Sequence, residues 1–224
     1  MKATKLLIIC SLTISIPIIT KSQNFTVSTD IVSSYVWRGV KYSDASIQPT
    51  LTFSHQNFSV GSWGSAGIDG FMEMDLFVNY AFPFGLSLGM TNYYFPPSKF
   101  FDHSASTGSH AYEFNASYGI SGFYAAGNYI FNEAGSAGSK GGDKYFEAGY
   151  DFKNIRLFAG AGDGWHTPDG SFQAVNIGER YKRYSNNRFV QTSTERFCNF
   201  KSGNGTILFN HWLVIINRCN SIIY

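Results

Sequence analysis

From Phe25 onward, apolar and polar residues alternate with a period of two in successive segments, and helical spacing is hard to find. In the first segment Phe25, Val27, Thr29, Ile31, Tyr35 and Trp37 share one face, while Thr26, Ser28, Asp30, Ser34 and Arg38 share the other. Between Phe71 and Phe82, Met72, Met74, Leu76, Val78 and Tyr80 alternate with Glu73, Asp75 and Asn79. The split returns with Tyr112, Phe114, Tyr118 and Ile120 against Glu113, Asn115 and Ser117, and again with Phe146, Tyr150 and Phe152 against Glu147 and Asp151. Each segment is about the 9 to 11 residues that a tilted strand needs to cross a bilayer. One face suits lipid and the other water.

The connections between segments alternate in length. Tight joints fall at His55-Gln56-Asn57, Pro83-Phe84-Gly85, Ile120-Ser121-Gly122 and Lys153-Asn154. Between them come the longer stretches 40–45, 96–109, 132–142 and 163–170, and Ile68-Asp69-Gly70 alone breaks the pattern by being short. Short turns at one end and long loops at the other are the asymmetry of an outer-membrane barrel threaded from a periplasmic N-terminus. A secreted β-sandwich, the water-soluble alternative, has no reason to alternate this way. The loops at 96–109 and 135–142 read as mobile surface segments. Composition agrees with a barrel: 17% of residues are aromatic, yet the mean hydropathy is −0.11. A lipid-facing belt and interfacial girdles accommodate the rings, and a polar lumen keeps the mean low.

Lys2 and Lys5 precede an apolar run from Leu6 to Ile19 and then Thr20-Lys21-Ser22, the order of a secretory signal peptide, so residues 1–22 are expected to be removed. A formal net charge of +2 with 14% charged residues offers no basic stripe for nucleic acid and no acidic tail. The expected partners are outer-membrane lipid, the barrel-assembly machinery and small solutes or ions, with no cofactor and no metal. Cys10 leaves with the signal, so only Cys198 and Cys219 could pair in the oxidising envelope.

Ser33-Ser34-Tyr35-Val36-Trp37-Arg38-Gly39-Val40, followed by a polar turn and Ile47-Gln48-Pro49, resembles the opening hairpin of TorF-type outer-membrane porins. The similarity runs over about residues 23–178. It implies an all-β, antiparallel transmembrane barrel of about twelve strands in the outer membrane of a Gram-negative bacterium, with passive transport. It brings no catalytic residue.

The alternation turns Glu73, Glu113 and Glu147 inward near the outer ends of their strands, with Asp75 and Asp151 deeper and Arg38 reaching the same mouth. Carboxylates facing an arginine across a narrow lumen set up a transverse field that selects for charge. Pairing among themselves, they would instead plug the barrel. Two other functions compete with a pore. A barrel-mouth hydrolase would draw on Asp163, His166 and Asp169, or on Asp102, His103 and His110, because a histidine positioned by a carboxylate can act as a general base. No serine motif or metal-ligand spacing accompanies them. A non-conducting adhesin or scaffold would use Tyr93, Tyr94, Phe95, Phe100 and Phe101 as a sticky tip.

Composition changes after about Gly178. Arg180, Arg183, Arg188, Arg196 and Arg218 follow a mature body whose only arginines are Arg38 and Arg156, and both mature cysteines fall here. Alternation fails from Tyr181 to Asn187, and Leu213 to Ile216 is apolar on both faces. Residues 179–224 are therefore expected to be a frame-shifted replacement of the closing strands, leaving open strand edges. The alternative is a pair of irregular last strands, Thr206 to Trp212 and Leu213 to Tyr224. Sequencing the gene from the codon of Phe172 onward tests the shift. The +1 frame should carry a long alternating open read, and a frame that stops early would end the idea.

Overall fold

The structure, a computed structural model, describes residues 23–183, 190–203 and 206–223; residues 1–22, expected to be a signal peptide, lie outside them. The barrel strands are β1 (Gln23–Val32), β4 (Ser46–His55), β5 (Phe58–Gly67), β6 (Met72–Ala81), β7 (Leu86–Tyr94), β8 (His110–Ile120), β9 (Phe123–Ile130), β12 (Asp143–Phe152), β13 (Ile155–Gly162), β14 (Gln173–Arg183), β15 (Val190–Gly203) and β16 (Thr206–Ile223). Two small hairpins lie in the loops, β2 (Tyr35–Trp37) with β3 (Val40–Ser43), and β10 (Glu133–Ala134) with β11 (Ser139–Lys140). Among the described residues the twelve barrel strands form one closed antiparallel ring. β1 joins β4 on one side and β16 on the other, in register from Phe25 with Ile223 to Val32 with Ile216. Closure gives the backbone N–H and C=O groups of every strand a ladder partner, which a wall in lipid requires.

The two faces separate as the alternation demands. Ile31, Leu51, Leu76, Phe114, Phe146 and Ile177 are exposed on the outside, while Asp30, Gln48, Glu73, Asp75, Glu113 and Asn176 are buried inside. A wall that is apolar outside and polar inside inverts a water-soluble protein and is the outer-membrane type of barrel. The tight joints at 55–57, 83–85, 120–122 and 153–154 lie at the end that carries Gln23 and Ile223, and the longer loops lie at the other end.

Two expectations are corrected. Tyr35 and Trp37 do not continue the lipid face of β1. After Val32 the chain turns into the lumen, and the hairpin β2–β3 packs there, with Tyr35 buried against Val32 and Phe158. The outer loops at 96–109 and 135–142, read from the sequence as surface segments, are hydrogen-bonded to each other. The Gly135 and Ser136 amides donate to the Ala105 and Gly108 carbonyls at 3.0 Å each, and the Ser136 hydroxyl donates to the Thr107 carbonyl at 2.8 Å. Lastly, 206–223 is one strand of 18 residues and not two, so the backbone closes the ring and leaves no open edge at β1. A ladder is built from main-chain groups alone, and side chains of any frame can support it. Residues 184–189 and 204–205 lie outside the described residues, and the frame-shift itself stands as a proposal about the gene.

Candidate functional site in the barrel mouth

Arg38 and Gly39 sit at the tip of the β2–β3 hairpin with φ of 49° and 85°. Both central residues of a type I′ turn need positive φ, and this turn matches the twist of a tight hairpin. Glycine adopts it freely, whereas an arginine there is strained and has to be held by its contacts. The contacts are strong. Nη1 of Arg38 donates to Glu113 Oε1 at 2.5 Å and Nη2 donates to Oε2 at 2.9 Å, a bidentate ion pair. The guanidinium lies over the Trp37 ring at 4.3 Å and the Tyr145 ring at 4.5 Å, where cation–π attraction adds to the pairing.

Glu113, on β8, is fully buried. Its Oε2 also accepts from the Tyr93 hydroxyl at 2.7 Å and from Asn115 Nδ2 at 2.6 Å. Asn115 is fixed in turn by the Thr91 hydroxyl and by Asn128, both at 2.9 Å. This density of donors lets a carboxylate stay buried, because an ion pair inside a protein repays its desolvation only when the remaining lone pairs are also satisfied.

Tyr145 connects that pair to the next carboxylate. Its ring lies against Arg38, and its hydroxyl donates to Glu147 Oε2 at 2.6 Å; the Tyr124 hydroxyl donates to Glu147 Oε1 at 2.7 Å. The Tyr145 ring passes over Gly160, where an added Cβ would run into it and into Asn176. Asp151 is separate. It accepts from Arg156 Nε and Nη2, both at 2.6 Å, beside the turn at 153–154, and Arg156 stacks on Tyr124 at 4.1 Å.

The loop after β13 closes over the hairpin through a single 3-10 turn, η1 (Gly164–His166). The His166 ring is buried 5.0 Å from the Trp37 ring and 5.1 Å from the Tyr145 ring, and its Nε2 is 3.5 Å from Arg38 Nη1. Burial, followed by the Arg38 charge, pushes its pKa down to about 3. The imidazole is therefore neutral at ordinary pH. Trp165 caps the same assembly, 6.1 Å from Trp37 and 5.9 Å from both Tyr93 and Phe95.

Of the residues expected to line the lumen, the fold brings Arg38 and Glu113 into contact and places Glu73 and Asp75 on the same wall, buried inside β6. Glu147 joins through Tyr145, and Asp151 is linked only at a remove, through Arg156 stacked on Tyr124. Arg38 arrives from the hairpin tip and not from the end of β1. The alternation left out Tyr93, Tyr145 and His166. Tyr145 has the inward parity of Glu147, two residues on, which was the available signal. Tyr93, one of the aromatics that a scaffold would use as a tip, points inward, whereas Phe101 is widely exposed at 88%.

The residues considered for hydrolysis are otherwise engaged. Asp163 accepts from the Lys144 amide at 2.6 Å, and Asp169 accepts from the Ser171 hydroxyl at 2.8 Å. Asp102 accepts from Ser104 and Thr107, and these hydrogen bonds hold its carboxyl down at about 2. His110 meets Asn92 and the Phe100 carbonyl, and His103 meets the Tyr112 hydroxyl. Among the described residues no three His, Cys, Asp or Glu side chains gather as a metal site.

The chain belongs to the Gcw_chp family, bacterial proteins of unknown function, whose pattern matches residues 19–167. No curated protein matches it. Solved structures of similar shape include the outer membrane phospholipase dimer of Salmonella typhi with bound calcium, at 11% identity, covering 90% of each chain with a TM-score of 0.40. Outer membrane phospholipase A of Escherichia coli aligns at 9% identity over 90% of this chain and 92% of that one, with a TM-score of 0.42. An outer membrane channel from Pseudomonas putida F1 aligns at 11% identity over 90% and 96%, with a TM-score of 0.45.

The low pKa of His166 fixes the sign of a pH effect. When the η1 loop is released, the imidazole returns to its ordinary pKa near 6.5 and takes up a proton that the closed form refuses. The closed mouth thus keeps its full stability above about pH 6.5 and loses it as pH falls toward 3. Tryptophan emission from Trp37 and Trp165 should report opening on acidification, and His166→Phe should remove the part of the transition between these limits. Identical titrations of the two proteins would contradict this assignment.

Proposed function

We propose that this Gcw_chp chain is an outer-membrane porin, of the TorF type its first hairpin resembles, which passes small solutes or ions by passive diffusion. The exposed apolar belt would face lipid, and the barrel-assembly machinery would insert it. The observation that carries the reading is the hairpin folded into the lumen, where Arg38 stands against Glu113 at the mouth. A barrel whose only task is to display loops has no use for a charged constriction built from its own first loop, whereas a pore uses one to set size and charge selectivity. No catalytic residue is assigned.

The same pairing favours a second reading, a non-conducting scaffold, because the hairpin saturates Glu113 and stacks its rings on both sides of the lumen. Planar-bilayer recording separates the two. Refolded wild-type protein should give small, discrete steps, and the double variant Trp37→Ala/Arg38→Ala should enlarge them severalfold by emptying the constriction. Absence of current in both proteins, with heat-modifiable gel migration confirming the fold, would leave the scaffold.

A further inference from the structure

Charge around the hairpin does not balance. Three carboxylates are buried around the hairpin, Glu113, Glu73 and Asp75, and Arg38 spends its bidentate pairing on Glu113. Glu73 and Asp75 are two residues apart on β6 and share its inward face, each 6% exposed. Asp75 lies near both Glu73 and Glu113 and accepts a hydrogen bond from the Tyr94 backbone, and Glu73 accepts one from the Tyr35 hydroxyl. Beyond these, Glu73 Oε2 and Asp75 Oδ1 are buried with no hydrogen-bond partner. Glu113 on β8 has both carboxylate oxygens hydrogen-bonded, and the other buried polar atoms without a partner, at His55, His166, Thr167 and Asn176, are not carboxylate oxygens.

An unpaired buried carboxylate is costly, and two side by side are costlier. The deficit calls for a cation that the described part of the chain does not place there. What surrounds the pair states the cation's chemistry. Tyr35 covers it, and its ring lies 5.6 Å from Tyr42, 5.4 Å from Trp63 and 5.9 Å from Phe71. Trp63 and Tyr93 are the cross-strand partners of Asp75 on either side. A divalent metal ion wants six or more oxygen ligands, and two carboxylates among rings do not provide them. Ring faces beside a carboxylate are the setting for an alkylammonium group, which pairs with the acid through N–H donors and with the rings by cation–π attraction.

We propose that Glu73 and Asp75, walled by Tyr35, Tyr42 and Trp63, form a recognition site for the ammonium group of a small organic cation. Resting on the porin reading, the inference deepens it. The permeant class is small amines, and the site lies beside the Arg38–Glu113 pair. Its position beside Tyr35 makes the hairpin one wall of the site, so a cation seated there and the closed hairpin stabilise one another.

Two measurements on the refolded full-length protein test this, with methylammonium chloride as probe and potassium chloride as the matched salt. The first is the midpoint of heat-induced loss of the compact gel form. Methylammonium should raise it above the value in equal potassium, and Glu73→Gln/Asp75→Asn should abolish that difference while still migrating as a folded barrel. The second is the reversal potential under a methylammonium chloride gradient, which should show cation preference in the wild type and lose it in the double variant. Equal midpoints in the two salts would overturn the site whether or not the barrel conducts. Missing current with a methylammonium-specific midpoint shift would overturn the porin reading and keep the site. A variant that fails to fold is replaced by Tyr35→Phe, which removes the hydroxyl that orients Glu73 and should weaken the methylammonium shift; an unchanged shift there would count against the site.

Discussion

A guanidinium can be kept inside a barrel only where an acid, a set of donors and a pair of rings are already waiting for it, and Arg38 meets all three. The bidentate bond to Glu113 holds the hairpin tip in a strained turn. Trp37 and Tyr145 sandwich the charge, and Tyr145 carries the connection on to Glu147. His166 and Trp165 then close over Trp37 from the last long loop before β14. Taking away either partner of a buried pair of this kind costs about 3–5 kcal/mol because the other charge is left stranded. Much of the mouth is organised around one contact between residues 38 and 113, on elements far apart in sequence.

Each of these contacts acts on a lumen that the wall defines but does not fill. Main-chain hydrogen bonding makes the ring continuous whatever the side chains are, and this explains how strands β14 to β16 complete it despite the loss of alternation beyond Gly178. The outer apolar face is a property of the body of the barrel, where Leu76, Phe114 and Phe146 project outward opposite buried Glu73, Glu113 and Tyr145. Function therefore rests on what projects inward, and the inward face has two unlike halves. Around Glu113 the charge is paired and both carboxylate oxygens are hydrogen-bonded. Around Glu73 and Asp75 they are not, and the shortfall lies where the hairpin contributes a wall of aromatic rings.

Alternation was enough to read the fold class, the inward direction of Glu73, Asp75, Glu113 and Glu147, and the end of the barrel at which the loops gather. These are local consequences of a period of two and of turn chemistry. The hairpin was not legible in the same way. Tyr35 and Trp37 keep the parity of β1, so a pattern carried past Ser33-Ser34 sends them outward; only tertiary packing against Val32, Trp63 and Phe158 turns them in. The pairing of Arg38 with Glu113 was legible as a possibility, since both reach the mouth, but the sandwich by Tyr145 and the lid by His166 depend on loop conformations that no periodicity encodes.

The most direct measurement is a double-mutant cycle on residues 38 and 113, using Arg38→Met, Glu113→Gln and the two together, with stability read from the unfolding of the refolded barrel in urea. If the hairpin is pinned inside the lumen by this pair, each single variant loses about 3 kcal/mol or more and the double variant loses little beyond either one, a coupling of about 3 kcal/mol. Additive losses, with a coupling near zero, would mean that Arg38 and Glu113 do not meet and that the hairpin does not occupy the barrel.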